Sequence, residues 1–417
     1  MPPLRDTTGL APDAPAAPMD APSPAPLRRG VRVAGIVIAL LTAIGVASQS
    51  PSLPRGAPTQ ITASIVPPAP VPAERGAVFR ESWVSPAGFT ASAHSSVTCV
   101  LPDGRLMVVW FGGSREGAAD VALLTATLDA TTGTWSPPAK SMDREQAQRD
   151  LGRPIRKVGN AVIFPDRDGT LWLVYVTVTV GGWSGSALNV ASSRDLGRTW
   201  TTGRRLTVNP FFNLSSLVRN KPVYAADGRI GLPVYFEMAT TYAQMLWLAP
   251  MADGRVAGFE MHSLLDPKGV IQPAVVPTAT GAVMALRDHG PQRRLHTAQS
   301  DDHAWTWSAP VAGELPNPDA AADMIRLRDG RLLLAYNHAA AGRANLRLAT
   351  SSDDGRTWRP GPMVEEEAGR EFSYPSLIED PRGRVHLTYT WKRERIKHVE
   401  FTAVWLDEKS GGAPAQP

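Results

Sequence analysis

SSDDGRTW, from Ser351 to Trp358, is one of three copies of a single eight-residue pattern. Ser193, Asp195, Gly197, Thr199 and Trp200 spell SxDxGxTW, as Ser351, Asp353, Gly355, Thr357 and Trp358 do. Ser300, Asp302, Thr306 and Trp307 repeat it with Ala304 in the glycine slot. The residue types describe a short turn: Ser and Asp oxygens accept backbone N–H bonds, Gly takes a positive φ, and Trp packs where the next strand begins. Three copies in one chain make a repeat, and its role is structural.

A second series runs between the boxes: an apolar run, a turn at or near Asp-Gly, and a run ending in an aromatic or Leu. Its glycines are Gly104, Gly169, Gly228, Gly281, Gly330 and Gly383, 49 to 65 residues apart. Each marks a tight hairpin of short β-rich runs, as in LPDGRLMVVW and LRDGRLLLAY, and at least three units continue into a strand that enters a box. Six units of about four short strands predict an all-β, six-bladed β-propeller, whose radial repetition leaves few exposed sheet edges. The sixth unit has strands through Tyr389–Trp391 and Ile396–Trp405 and then turns polar, one strand short. Val78 to Val84, ahead of the first unit, is the expected donor that closes the ring.

A chain of 417 residues with 43% apolar content buries a substantial core in one large β domain. The net charge of +4 is small for that size and no basic run is interleaved with aromatics, so nothing points to nucleic acid. The single Cys99 rules out an internal disulfide framework and any CxxC motif; it reads as a buried thiol of the first inner strand. His289, His296, His303, His338 and His386 show no ligand spacing, so neither a catalytic metal nor a cofactor is expected.

Residues 1–30, rich in Pro and Ala, read as a disordered cytoplasmic tail. Residues 31–48 carry the uncharged run Val33 to Ala47 and are expected to be a transmembrane anchor or, with Met19 as the true start, a signal sequence. In both cases the arginines stay inside and the propeller is exported to the periplasmic or extracellular side, membrane-anchored or secreted. Residues 49–77, with repeated prolines, are expected to be a linker, 78–408 the propeller, and 409–417 a disordered tail.

In a four-stranded meander blade the boxes lie between third and fourth strands and decorate the lower rim. The upper mouth is built from the starts of the inner strands and the loops after the second strands. His94, Asn160, Arg219, Gln272 and Tyr374 stand at strand starts; Arg115, Glu116, Asp120, Glu237, Arg287, Arg343, Lys392 and Arg393 come from the loops. Guanidinium groups converging with a few carboxylates and a Tyr suit an anionic, hydroxyl-rich ligand, because Arg grips a carboxylate bidentately. For any one of these residues a rim salt bridge is the competing reading.

Boxes, hairpins and mouth arginines together resemble the sialidases (neuraminidases), specifically bacterial Asp-box, BNR-repeat sialidase-like proteins, over about His94 to His398. The resemblance implies a six-bladed propeller that clamps a sialic-acid carboxylate with three arginines, attacks with a Tyr activated by a Glu, and uses an Asp as acid/base. Tyr374, in EFSYPSL, matches the nucleophile; Arg343 and Arg287 match two clamp arginines; Asp120 matches the acid/base. Two positions depart. His94 stands where the first clamp arginine belongs, and Gln272 where the activating Glu belongs. Gln cannot take a proton, and His offers at best one pH-dependent charge. Glu237, in LPVYFE, is a candidate for the base, Glu116 a candidate to support Asp120 or bind a sugar hydroxyl, and His94 a candidate base in its own right.

The leading expectation is a sialidase-like exo-glycosidase that removes a terminal acidic sugar from a glycan or surface polysaccharide. Beside it stand a polysaccharide lyase acting on a uronate, with His94 or Tyr374 as base, and a carbohydrate-binding propeller without turnover, since Asp boxes specify fold and not activity.

Overall fold

Runs of small, β-branched and aromatic residues on either side of each Asp-Gly turn pair as antiparallel hairpins, and the hairpins extend into six sheets. The computed structural model describes residues 56–65, 76–129, 132–208, 213–238, 240–251 and 253–411. The expected cytoplasmic tail, the membrane segment over 31–48 and residues 412–417 lie outside these. No helix among the described residues is long and apolar enough to cross a membrane.

The first blade is Ser92–Val100, Leu106–Gly113, Ala122–Leu128 and Ala139–Asp143; the second is Lys157–Pro165, Leu171–Val178, Ser186–Ser193 and Arg204–Arg205. In the third, Leu217–Val218 and Val223–Ala225 share the inner place against Ile230–Phe236, followed by Tyr242–Pro250 and Val256–Lys268. The fourth runs from Val270–Pro277 to Val311–Pro316, and the fifth from Asp323–Arg326 to Arg359–Glu366. Phe372–Glu379, Val385–Trp391 and Arg395–Phe401 make the sixth, and its outer strand is Phe79–Trp83, with Phe79 opposite Phe401 and Trp83 opposite Lys397. Successive inner strands touch around the ring, and Phe372–Glu379 meets Ser92–Val100 to close it. The molecule is therefore a six-bladed β-propeller.

Strands near the axis are covered on both faces by neighbouring blades and so read as continuous apolar runs; all eight residues of Leu171–Val178 are buried. Trp110, Trp172 and Trp247 fill the wedges between blades. The boxes fold as their residue types require. Ser193 Oγ donates to Asp195 Oδ1 at 2.7 Å and accepts from Gly197 N at 2.8 Å, while Asp195 accepts from the Thr199 amide and hydroxyl at 2.8 and 2.6 Å. These bonds favour the carboxylate and pull Asp195 and Asp353 down to about 2, the Thr hydroxyls contributing most.

Two segments differ from expectation. The last strand stops at Phe401, not Trp405: Thr402 caps a helix, Ala403–Lys409, whose Trp405 stacks on Phe79 at 4.5 Å and helps hold the closing strand. The expected linker over 49–77 is in part a strand. Ile61 and Thr62 pair antiparallel with Ala225 and Tyr224, adding an inner edge to the third blade. Residues 63–65 then line a small cavity with Cys99, Ile163, Tyr224 and Ile378, on four different blades, so this arm lies across the lower end of the axis. An alternating apolar signal only two residues long is too short to read against a proline-rich background.

Candidate functional site

The mouth is organised by bulges. The pairing of inner and second strands slips between His94 and Val97, between Gly159 and Ala161, between Ile271 and Ala274, and between Ser373 and Ser376. A bulge leaves one residue out of the ladder and re-aims it. Ser95, Gln272 and Tyr374 sit at these slips with φ of 57°, 52° and 53°, a left-handed conformation that a side chain with a Cβ adopts at a cost of about 1–2 kcal/mol. Carbonyls freed from the ladder are taken by polar side chains. Asn220 Nδ2 donates to the carbonyls of Gln272 at 3.2 Å and Pro273 at 2.9 Å, Asn337 Nδ2 to Phe372 O at 2.7 Å, and Arg219 Nη2 to Pro375 O at 2.8 Å.

Tyr374 is the hub of what the bulges assemble. The Arg219 and Arg343 guanidiniums lie 5.2 and 5.4 Å from its ring centroid, and the His94 ring meets it edge-on at 4.5 Å. Arg287 donates to Asp319 Oδ1 at 2.6 Å and to Gln272 Oε1 at 3.0 Å. Burial works against its charge, but Tyr374 and Asp319 outweigh that and raise its pKa, so the guanidinium stays charged. Arg343 donates to the Asp319 carbonyl at 2.8 Å and reaches Glu371 at 3.4 Å. Arg393 holds the other Glu371 oxygen at 2.6 Å and Glu116 at 2.7 Å, which joins the loops of the first and sixth blades. Burial pushes the Glu371 carboxyl up; Arg393, Ser373 and Arg343 more than reverse this and keep it ionised.

His94 is 1% exposed, and neither ring nitrogen has a hydrogen-bond partner; Nε2 stands 3.9 Å from Glu116. Burial, with the charges of Arg393, Arg343 and Arg219, holds its pKa well below the ordinary value, so the imidazole is neutral. It is therefore not a further cation of the clamp.

Other expected residues have different company. Arg219 is also 1% exposed and committed to the backbone below Tyr374, so it acts through that ring instead of reaching a ligand. Gln272 Nε2 and Asn160 Nδ2 both donate to Tyr235 Oη, at 3.2 and 3.1 Å. Burial raises the Glu237 pKa, with Arg287 and His289 opposing. Lys392 pairs with Glu367 at 2.6 Å at the rim. Arg115 and Asp120 are exposed; Asp120 accepts from the Ser114 amide and hydroxyl, both at 2.9 Å, and those bonds lower its pKa. Among the described residues no group of three His, Cys, Asp or Glu is placed to hold a metal ion.

Sequence reasoning passed over Tyr235 and Glu371. Tyr235 ends the third hairpin at the place where the other units carry a core aromatic, and Glu371 looks like one more loop carboxylate. A bulged partner strand and two arginines from different blades give them their roles.

The BNR repeat-like domain matches residues 104–387, about two thirds of the chain. This protein belongs to the BNR repeat-like domain family. Its fold is shared with solved sialidases. A Hadza microbial sialidase superposes with a TM-score of 0.64 at 19% identity, covering 78% of this chain and 68% of that one. The intramolecular trans-sialidase from Ruminococcus gnavus gives 0.60 at 13% identity, covering 81% and 98%. The NanB sialidase from Streptococcus pneumoniae gives 0.61 at 12%, covering 77% and 70%. No curated protein matches the chain. This BNR repeat-like propeller thus shares the fold of solved sialidases, with His and Gln at two mouth positions.

Proposed function

We propose that this protein is an exo-acting glycosidase that removes a terminal acidic sugar, sialic acid or a related one, from a glycan or surface polysaccharide on the outer side of the membrane. One observation carries the reading: Tyr374 is held in a strained conformation between two guanidiniums and against a neutral histidine. His94, whose ring meets Tyr374 edge-on, takes the proton of its hydroxyl where Gln272 cannot serve. Tyr374 Oη then bonds to the anomeric carbon as the glycosidic C–O bond breaks, and the leaving oxygen takes the proton of Asp120. Water later hydrolyses the tyrosyl intermediate, with Asp120 as base. Arg287 and Arg343 hold the sugar carboxylate.

Release of fluorophore from a fluorogenic sialoside, and its loss in Tyr374→Phe, tests this; full activity in that variant refutes it. A second reading, β-elimination from a uronate, is favoured by the same unpartnered nitrogens of His94 next to a carboxylate clamp. Only elimination creates an unsaturated product that absorbs in the near ultraviolet, so a panel of uronate polysaccharides separates the two. Glycan binding that persists without any turnover and is abolished by Arg343→Ala identifies a binding protein.

A further inference from the structure

About 20 Å along the sixth inner strand from Tyr374, at the lower rim, lies a cavity of about 320 Å³ between the closing blade and the first. Ser82, His386 and His398 line it, with Arg80, Arg382 and Arg384 in its wall. The strand register builds this cluster: Ser82 stands opposite His398, and Arg80 opposite Glu400. Ser82 Oγ is 2.9 Å from His398 Nδ1, His398 Nε2 is 3.0 Å from His386 Nδ1, and His386 Nε2 is 3.5 Å from Asp380 Oδ2. The two imidazole planes are 13° from parallel, with ring centroids 5.2 Å apart.

One assignment of protons suits every hydrogen bond of the cluster. Asp380 Oδ1 accepts from the amides of Arg382 and Arg384, and its Oδ2 faces His386 Nε2 at 3.5 Å, an ion-pair distance at which that nitrogen makes no hydrogen bond. His386 Nδ1 then accepts from His398 Nε2–H, His398 Nδ1 accepts from the Ser82 hydroxyl, and Ser82 Oγ accepts from Trp135 Nε1 at 3.1 Å. Burial, and then the neighbouring His386, hold the His398 pKa well below its ordinary value, which keeps the ring neutral with Nδ1 an acceptor for the Ser82 hydroxyl.

The turn itself does not ask for a histidine. In the second blade Asp166 occupies the corresponding place, with Oδ1 on the amides of Asp168 and Thr170, and its Oδ2 accepts from Trp172 Nε1 at 2.7 Å. An inert indole satisfies that carboxylate. The sixth blade puts an imidazole there, from which hydrogen bonds run through His398 to a hydroxyl at a cavity.

We propose that Ser82 is the nucleophile of a second reaction centre, an acyl-transfer site for short acyl esters of small polar alcohols, with His398, His386 and Asp380 relaying its proton. Ser82 Oγ bonds to the ester carbonyl carbon as its proton passes to His398 Nδ1; the C–O bond to the alcohol breaks and the alkoxide takes that proton. Water then attacks the acyl-serine, giving its proton to His398, and Ser82 regains a hydrogen as the carboxylic acid leaves. The cavity is large enough for a small ligand, and Arg382 in its wall supplies positive charge for the oxyanion, while Arg80 and Arg384 are paired with Glu400.

The full-length protein, incubated with a fluorophosphonate probe and mapped by peptide mass spectrometry, is expected to carry the adduct on Ser82. His386→Gln keeps an acceptor for His398 but cannot relay a proton, and is expected to slow labelling and 4-nitrophenyl acetate hydrolysis at least tenfold. Asp380→Asn, which keeps the turn's acceptor, is expected to do the same. Folded wild-type protein without an adduct on Ser82, or equal labelling rates in wild type and either variant, overturns the proposal.

Discussion

Truncating Ile61 to alanine should loosen the N-terminal arm and uncover Cys99. Ile61 is 6% exposed and packs in one cluster with Val223, Ala225 and Trp247. Around it, Gln60 O accepts from Ala226 N at 2.9 Å and Gly56 O from Arg229 Nη2 at 3.1 Å, bonds that persist only while the arm is docked. Loss of a buried Ile side chain down to Cβ costs about 2–5 kcal/mol, and about 3 is appropriate at the edge of a sheet. That shifts the ratio of docked to undocked arm by about 100-fold, at about 1.4 kcal/mol per decade. Cys99 lies under residues 63–65, so its reaction with an aromatic disulfide under native conditions reports arm opening. Labelling in Ile61→Ala is expected to be about 100-fold faster than in wild type, with the mid-point of global unfolding lowered by only a few degrees. Equal labelling rates and equal unfolding mid-points would mean that the arm contributes nothing, and the account of the lower axial closure would be wrong.

Asp120→Asn should reduce kcat for a sialoside by about 10²–10⁴-fold with little change in KM, since the acid acts in bond cleavage. Ser114→Ala removes a bond that favours the Asp120 carboxylate; its pKa rises, more of the required acid form survives, and the alkaline limb of the rate profile should move to higher pH. An unmoved limb would exclude Asp120 as the acid. Gly355→Ala places a Cβ in ordinary contact, 3.5 Å from Trp358 and Val283, but at φ 82°. Thermal unfolding should reveal a loss of about 1–2 kcal/mol with the fold intact, as the resident Ala304 at φ 67° already tolerates the same slot.

The repeat count, the blade content and the closing strand could be read from the chain because each is a local pattern written several times. An Asp-Gly turn needs its own few residues, and so does the SxDxGxTW box; six copies then leave little freedom for anything but a ring. Phe79–Trp83 was legible by subtraction, as the strand the sixth unit lacked. The arm at Ile61 was not, because two paired residues carry no periodicity. The helix at Ala403–Lys409 also escaped, since AVWLDEK after an apolar strand reads as its continuation.

For the site, residue type and strand position identified Tyr374, Arg287, Arg343 and His94 as mouth groups, a statement about order along the chain. What each side chain does there was settled in three dimensions. Four register slips turn residues toward the axis, and their energetic requirement, partners for freed carbonyls, commits Arg219, Asn220 and Asn337 to the backbone. Burial of His94 among three arginines decides that it is neutral, although its sequence position suggested a weak substitute for a cation. Composition and spacing fix which residues reach the mouth; protonation and partnership depend on distances between blades, which the sequence encodes only through the packing of the whole ring.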